Sequence, residues 1–328
     1  MQTVSLYILN LLAPCHCACR YCFLCAGGGT TGVEYGRGEA LARRIHAALP
    51  ALPLSYTCGY CYDYPELARG IAFNRELGFA GAGYLQVNGI APRGPEDLRT
   101  WLGGLKAAGA HSVDATFYGL EPAHDKFAGR RGDFQLLLHI LRAAQALDYQ
   151  ANVTFPITEE NKDDLDPMLK QLESEGCTRF FGYLPDCRGR GALLEDIRLT
   201  QASREALGPQ VCGKVNWSRY RTEAAWLQSG FAEPEKRQLR LVLTQETIAR
   251  WEAMAPAQII AELERLDEQY YAALPPMEEL ARLYGDPQGR RLCRDRDLRW
   301  KYGGQYRLEH GIDIHDVTDE SASGSIRF

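Results

Sequence analysis

Short apolar runs alternating with amphipathic stretches limit this chain's fold more than any other feature. From residue 3 to about residue 200 they recur at intervals of about thirty residues, the rhythm of βα units feeding a parallel sheet. The strand candidates are TVSLYILNLL (3–12), LPLSYTC (52–58), GYLQVNG (83–89), HSVDATFYG (111–119), YQANVTF (149–155) and TRFFGYL (178–184). Helical periodicity runs through GEALARRIHAAL (38–49), PEDLRTWLGGLKAAG (95–109), DFQLLLHILRAAQAL (133–147) and NKDDLDPMLKQLESEG (161–176), with Pro95 at a first turn and Gly176 just past an end. After DCRGRGALLED (186–196) the rhythm is lost, and LTQETIARWEAMAPAQIIAELERLDEQYYAAL (243–274) reads as helices broken near Pro256. The expectation is an α/β domain over residues 1–200 and a mainly helical extension over 201–328, closed by a polar tail (316–328) that is loose or ordered only by docking.

A chain of 328 residues with 45% apolar and 24% charged side chains buries a full core, which excludes wholesale disorder and a collagen-like fibre. Lys and Arg number 37 against 42 Asp and Glu, so no global field draws in nucleic acid, and none is expected as a partner. The opening VSLYILNLLAP (4–14) has no preceding positive charge, no cleavage site and too few residues to span a bilayer. It is expected to be a buried strand, with no membrane association. Eleven cysteines without a secretion signal point to a reducing compartment, so the expected location is cytoplasmic.

Five of those cysteines crowd into APCHCACRYCFLCAGGG (13–29). Cys15, Cys19 and Cys22 form C-x3-C-x2-C directly after the first strand, on a loop that a parallel sheet or barrel places at the carboxyl ends, where ligands bind. A structural zinc site needs four closing ligands, whereas a [4Fe–4S] cube held by three thiolates keeps one iron open for a non-protein ligand. Cys17 and Cys25 fall outside the spacing and read as bystanders, spares or substitute ligands; Cys19, Cys22 and Cys25 are a competing triplet. A non-catalytic zinc- or iron–sulfur-binding interaction protein is the alternative of another class.

With Tyr21 before its last cysteine, this loop resembles the cluster motif of the radical S-adenosylmethionine (radical SAM) enzymes. FYGLEPAHDKFAGRRGDFQLLLHILRAAQAL (117–147) followed by VTFPITEENKDDLDPMLKQLESEG (153–176) is similar to the fourth-to-sixth-strand region of radical SAM peptide maturases of the SPASM/twitch type. The resemblance implies a (β/α)6 partial TIM barrel with a [4Fe–4S] cluster on Cys15, Cys19 and Cys22 and SAM chelating the fourth iron. It further implies an electron donor such as flavodoxin or ferredoxin, cleavage of SAM to a 5′-deoxyadenosyl radical, and hydrogen abstraction from a peptide or small-molecule substrate.

Many members carry a Gly-Gly-Glu-Pro-like turn after the second strand to hold the SAM amino group. YTCGYCYDYPEL (56–67) keeps only Gly59 and Pro65, so backbone around Thr57, Cys58 and Gly59, or the Asp63 carboxylate, would stand in. Cys58 and Cys61 form a C-x2-C that is either chemically active or packed beneath the site. Polar residues inside apolar strands need partners, which makes Asn88, Asp114, Thr116, Asn152 and Thr154 candidates for the SAM ribose and carboxylate. By similarity to the family, backbone near Ile157 and Tyr183 flanks the adenine.

Arg130 and Arg131 are candidates for the SAM carboxylate, against ion pairing with Asp125 or Asp133. AGGGTT (26–31) lacks a phosphate-loop ending and reads as flexibility above the cluster. In the extension, RRLCRDRDLRWKYGGQYR (290–307) reads as internal salt bridges rather than an anion-binding face, and AELERLDEQYYAAL (261–274) as a cap on the barrel mouth. Too few cysteines follow the barrel, with Cys177 and Cys187 near its last strand and Cys212 and Cys293 beyond, for an auxiliary cluster to be expected.

Overall fold

The computed structural model describes residues 2–22, 30, 32–59, 62–231 and 236–313. The readings of Cys25, Cys61, the tail and nearly all of the glycine run fall outside them.

The first half is a strict alternation: β1 (Gln2–Asn10), α1 (Tyr35–Ala48), β2 (Leu54–Cys58), α2 (Leu67–Glu76), β3 (Tyr84–Gln86), α3 (Pro95–Ala107), β4 (Ser112–Thr116), α4 (Glu121–Ala128), α5 (Asp133–Ala146), β5 (Gln150–Pro156), α6 (Leu165–Ser174) and β6 (Arg179–Tyr183). All six expected strands form. Two helices not foreseen, α2 and α4, carry too little apolar periodicity to stand out, since Gly70 and Asn74 interrupt one and the other spans only eight residues.

Beyond β6 come a 3-10 segment (Gly189–Ile197), α7 (Gln201–Glu205), α8 (Pro209–Cys212), β7 (Arg221–Thr222), α9 (Glu223–Ser229), β8 (Lys236–Leu243), α10 (Ile248–Ala253), α11 (Pro256–Ala272), α12 (Met277–Tyr284), β9 (Leu292–Cys293) and α13 (Asp295–His310). The extension is mainly helical, but β8 pairs parallel with β1 on the edge opposite β2. The parallel strands thus run in two arcs, β8-β1-β2 and β3-β4-β5-β6, joined by one continuous hydrophobic core as an open α/β barrel. The last helices have a separate small core around Met277, Leu280, Leu298 and Tyr302.

The break between the arcs has a visible cause. Tyr56 turns its backbone groups toward the free edge of β2, and there the Asn74 side chain of α2 accepts from Tyr56 N–H (2.8 Å) and donates to Tyr56 C=O (2.7 Å). An amide side chain takes the place of a neighbouring strand.

α11 is not a mouth cap. It lies on the outer flank against β8 and α1, where Thr3 at the start of β1 donates to Glu264 (2.6 Å) and the buried Arg237 of β8 pairs with the fully buried Asp267 (3.0 Å). An acidic, half-apolar helix suits that position because its apolar side meets the strand layer and one carboxylate meets the buried guanidinium.

Close approach of α1 to β2 is set by Gly38, where an added Cβ would lie 2.2 Å from the Tyr56 hydroxyl oxygen. Gly38→Ala is expected to lower stability by about 1–3 kcal/mol through overpacking, read as a shifted urea midpoint.

Candidate functional site

The loop after β1 turns over the carboxyl ends of the strands and is clamped there by backbone bonds. His16 N–H donates to Gly89 C=O (2.9 Å), Ala18 to Ala128 (2.9 Å), Arg20 to Phe127 (3.0 Å), and Arg190 reaches in to donate to Cys22 C=O (3.0 Å). Gly129, with φ of 66°, ends α4; a Cβ there would sit 3.0 Å from Ala18 Cβ, so the docking requires glycine. Held this way, Cys15, Cys19 and Cys22 are half-buried and Cys17 is buried.

Tyr21 fastens the loop to the barrel. Its ring meets Tyr118 edge-on at 5.3 Å and packs on Phe127 (6.1 Å) and on Tyr183 (6.3 Å), the last residue of β6. The Tyr118 hydroxyl donates to Cys19 Sγ at 3.6 Å. Hydrogen bonds from Cys17 and Tyr118 hold Cys19 below the usual thiol range, although burial works against them. Burial pushes the Tyr21, Tyr118 and Tyr183 phenols up, so they remain donors at neutral pH.

Behind the loop lies a buried polar network that sequence reasoning met only in part. Asp133 accepts from His124 Nε2 (3.0 Å), Arg130 Nε (2.9 Å) and Cys17 Sγ (3.7 Å). Tyr118 N–H donates to His124 Nδ1 (3.2 Å), which places the neutral ring's proton on the nitrogen facing Asp133. Burial opposes ionisation of Asp133, but His124 and Arg130 outweigh it and hold the carboxyl below its ordinary value. Of this network the sequence offered only the pairing of Arg130 with Asp133, weighed against a SAM contact; nothing in it pointed to His124 or Cys17.

On β4 and β5 the apolar residues face the helices, as Val113, Ala115, Val153 and Phe155 are all fully buried, and the alternate positions face the concave side. There the expected polar residues meet. Thr116 and Thr154 share a hydroxyl bond (2.7 Å), and Gln86 donates to Thr116 (3.0 Å). Asn88 brackets the backbone of Thr116, donating to its C=O (2.9 Å) and accepting from its N–H (2.6 Å). Asn152 donates to Asp114 and to Ser112 (2.8 Å), while burial raises the Asp114 carboxyl above its ordinary value in spite of the Asn152 bond.

The remaining candidates divide. Gly59, with φ of 84°, donates to Asn10 C=O (2.7 Å) and turns the chain at the end of β2. Asp63 is engaged by Arg93 and by Ala91 N–H (2.6 Å), so its carboxylate braces the loop after β3. Ile157 N–H donates to Tyr183 C=O (2.8 Å), which joins the ends of β5 and β6. Arg131 is exposed, whereas Arg130 turns inward to Asp133 and to Ile90 C=O (2.6 Å). Cys58 is buried on the helix side of β2 and burial pushes its thiol up to about 12, which suits a small packed residue rather than a reactive one.

In the extension, Arg294 pairs with Asp186 and Asp297, and Lys301 with Glu223 (2.8 Å) and Glu195 (3.3 Å). The first turn of α13 thereby grips the segment that follows β6. Among the described residues no three His, Cys, Asp or Glu side chains are gathered as for one metal ion. Three thiols on one loop fit instead a group that takes one thiolate per iron, as a [4Fe–4S] cube does.

No family model matches the chain. It is 30% identical over 147 residues to the Fe-coproporphyrin III synthase of Methanosarcina barkeri, a match covering 44% of this chain. The chain spans about a third of that relative, 34% of its length. Among solved structures it is similar to Streptococcus suis SuiB bound to precursor peptide SuiA (13% identity, TM-score 0.44, covering 57% of this chain and 40% of SuiB). It is also similar to the radical SAM enzyme coproporphyrinogen III oxidase (HemN) of Escherichia coli (13% identity, TM-score 0.40, covering 93% of this chain and 91% of HemN). In its cysteine loop, its strand order and the proteins it matches, the chain is similar to the radical SAM enzymes.

Proposed function

We propose that this chain is a radical SAM enzyme that holds a [4Fe–4S] cluster on Cys15, Cys19 and Cys22 and abstracts hydrogen from a peptide or peptide-like substrate. The observation that carries the reading is three half-buried thiols on one clamped loop over the carboxyl ends of parallel strands, beside a concave face of paired polar groups. When bound and reduced, the cluster supplies the electron that cleaves SAM to methionine and a 5′-deoxyadenosyl radical.

The chain's own residues bind and orient. Thr116, Thr154 and Asn88 offer hydroxyl and amide groups to the SAM ribose and carboxylate. Asn152 and Asp114 lie two residues further toward the amino ends of the same strands, and the backbone at Ile157 and Tyr183 flanks the adenine. With the Asp63 carboxylate braced by Arg93, the carbonyl groups near Thr57 and Gly59 are left to accept from the SAM ammonium. Tyr21 and Tyr118 cover the inner side of the loop and exclude water from Cys19. A small flavodoxin or ferredoxin supplies electrons in the cytoplasm; among the described residues no helix is long and apolar enough to cross a membrane.

A second reading, a small-molecule substrate such as an iron tetrapyrrole, is favoured by the name of the Methanosarcina relative. Anaerobic reconstitution followed by dithionite and SAM tests the shared chemistry. Formation of 5′-deoxyadenosine is expected; none from a protein with an intact cluster, or a zinc-filled loop without iron, overturns it. Stimulation of that product by a short peptide encoded nearby, or by a tetrapyrrole, separates the two substrates.

A further inference from the structure

Among the described cysteines of the loop, Cys17 is left without a task by this chemistry, and it is the most deeply buried of them. Cys17 is 4% exposed, while Cys15 and Cys19 on either side are half-buried. Its Sγ donates to Asp133 Oδ2 at 3.7 Å, a contact spanning 116 positions of sequence. Asp133 is itself immobilised, because both its oxygens are taken by His124 (3.0 Å) and Arg130 (2.9 Å). Those two partners are fixed in turn, His124 by Tyr118 N–H (3.2 Å) and Arg130 by Ile90 C=O (2.6 Å). The peptide groups flanking Cys17 are also tied, through His16 to Gly89 and Ala18 to Ala128.

We infer that Cys17 is a positioning residue: anchored on Asp133, it fixes the course of the loop between Cys15 and Cys19 and so the places of their two thiols. The inference rests on the cluster reading above. A thiol is a weak donor alone, but a buried bond to a charged acceptor is stronger, and this acceptor has no freedom to follow the loop.

Two arms test the inference. In the metal-free protein, timed alkylation by N-ethylmaleimide, read by peptide mass spectrometry, is expected to modify Cys17 at least about tenfold more slowly than Cys15, Cys19 or Cys22. Asp133→Asn is expected to narrow that gap; equal rates in the parent protein overturn the anchor. In the reconstituted protein, Cys17→Ser retains a donor to Asp133 and is expected to keep the parent's iron content and the low-temperature EPR spectrum of its reduced cluster. Cys17→Ala is expected to lose iron several-fold and to show a mixture of spectra. A Cys17→Ala protein indistinguishable from the parent overturns the positioning role. So does a Cys17→Ser protein as damaged as Cys17→Ala, since sulfur itself would then be the requirement. A parent protein without any iron–sulfur spectrum sinks the proposed function instead, and the alkylation arm then judges the anchor alone.

Discussion

On the proposed ligand set, alanine at Cys15, at Cys19 or at Cys22 is expected to abolish the iron–sulfur absorbance of the reconstituted protein and to bring 5′-deoxyadenosine formation down to the uncatalysed background. Each thiolate holds one iron, and a cube already open at its fourth corner has no spare protein ligand to lose. Cys177 provides the comparison. It is buried just before β6, at the amino ends of the strands, with Gln145 as its polar neighbour (3.9 Å). Cys177→Ala is expected to keep iron and product formation while losing about 1–2 kcal/mol of stability to the cavity. Iron analysis and product assay on the four variants check the ligand set, and full iron in any of the first three reassigns it.

The six strands of the first half were legible because each is a run of apolar or β-branched residues whose buried face needs no special chemistry. β8 was not, for the opposite reason. In KRQLRLVL the first, third and fifth positions are cationic or amide, since Arg240 lies over the Tyr7 ring on the concave side (4.7 Å) and Lys236 and Gln238 are exposed. A strand with one polar face and a buried arginine paired to a distant aspartate reads as surface until the partner is seen. The same limit applies at the site. Spacing singles out Cys15, Cys19 and Cys22, and the rule that buried polar groups need partners finds Asn88, Thr116, Asn152 and Thr154, which partner one another across adjacent strands. Neither rule finds the tie between Cys17 and Asp133, because nothing local distinguishes that cysteine from its neighbours. The direction of Arg130 and Arg131 was equally hidden, for only the turn before α5 decides which of two adjacent guanidinium groups goes inward.

Asn74→Leu is expected to be the most damaging single substitution outside the cysteine loop. Asn74 is buried in α2 and its amide serves the edge of β2 where no strand arrives, accepting from Tyr56 N–H and donating to both Tyr56 C=O and Gly70 C=O (2.9 Å). Leucine keeps the branched skeleton with bulkier methyl ends but offers no hydrogen bond, so a backbone donor and a backbone acceptor of Tyr56 are left buried and unmet. At about 1–3 kcal/mol for each orphaned group, the loss comes to about 2–6 kcal/mol. Tyr56 is fully buried and its hydroxyl donates to Tyr35 C=O (3.0 Å) while accepting from Asn10 (2.7 Å). Asn10 ends β1 immediately before the cysteine loop and also bonds both backbone groups of Val33 beyond it (2.9 and 3.0 Å). Disturbance at Asn74 therefore reaches both ends of the cluster loop through two side chains. The expected result is a urea midpoint shifted down with an unchanged slope, faster amide exchange at Tyr56, and lower iron retention in the folded fraction. A loss below about 1 kcal/mol would mean that water serves the β2 edge as well as the amide does, and that the gap between the two arcs is held open by something other than Asn74.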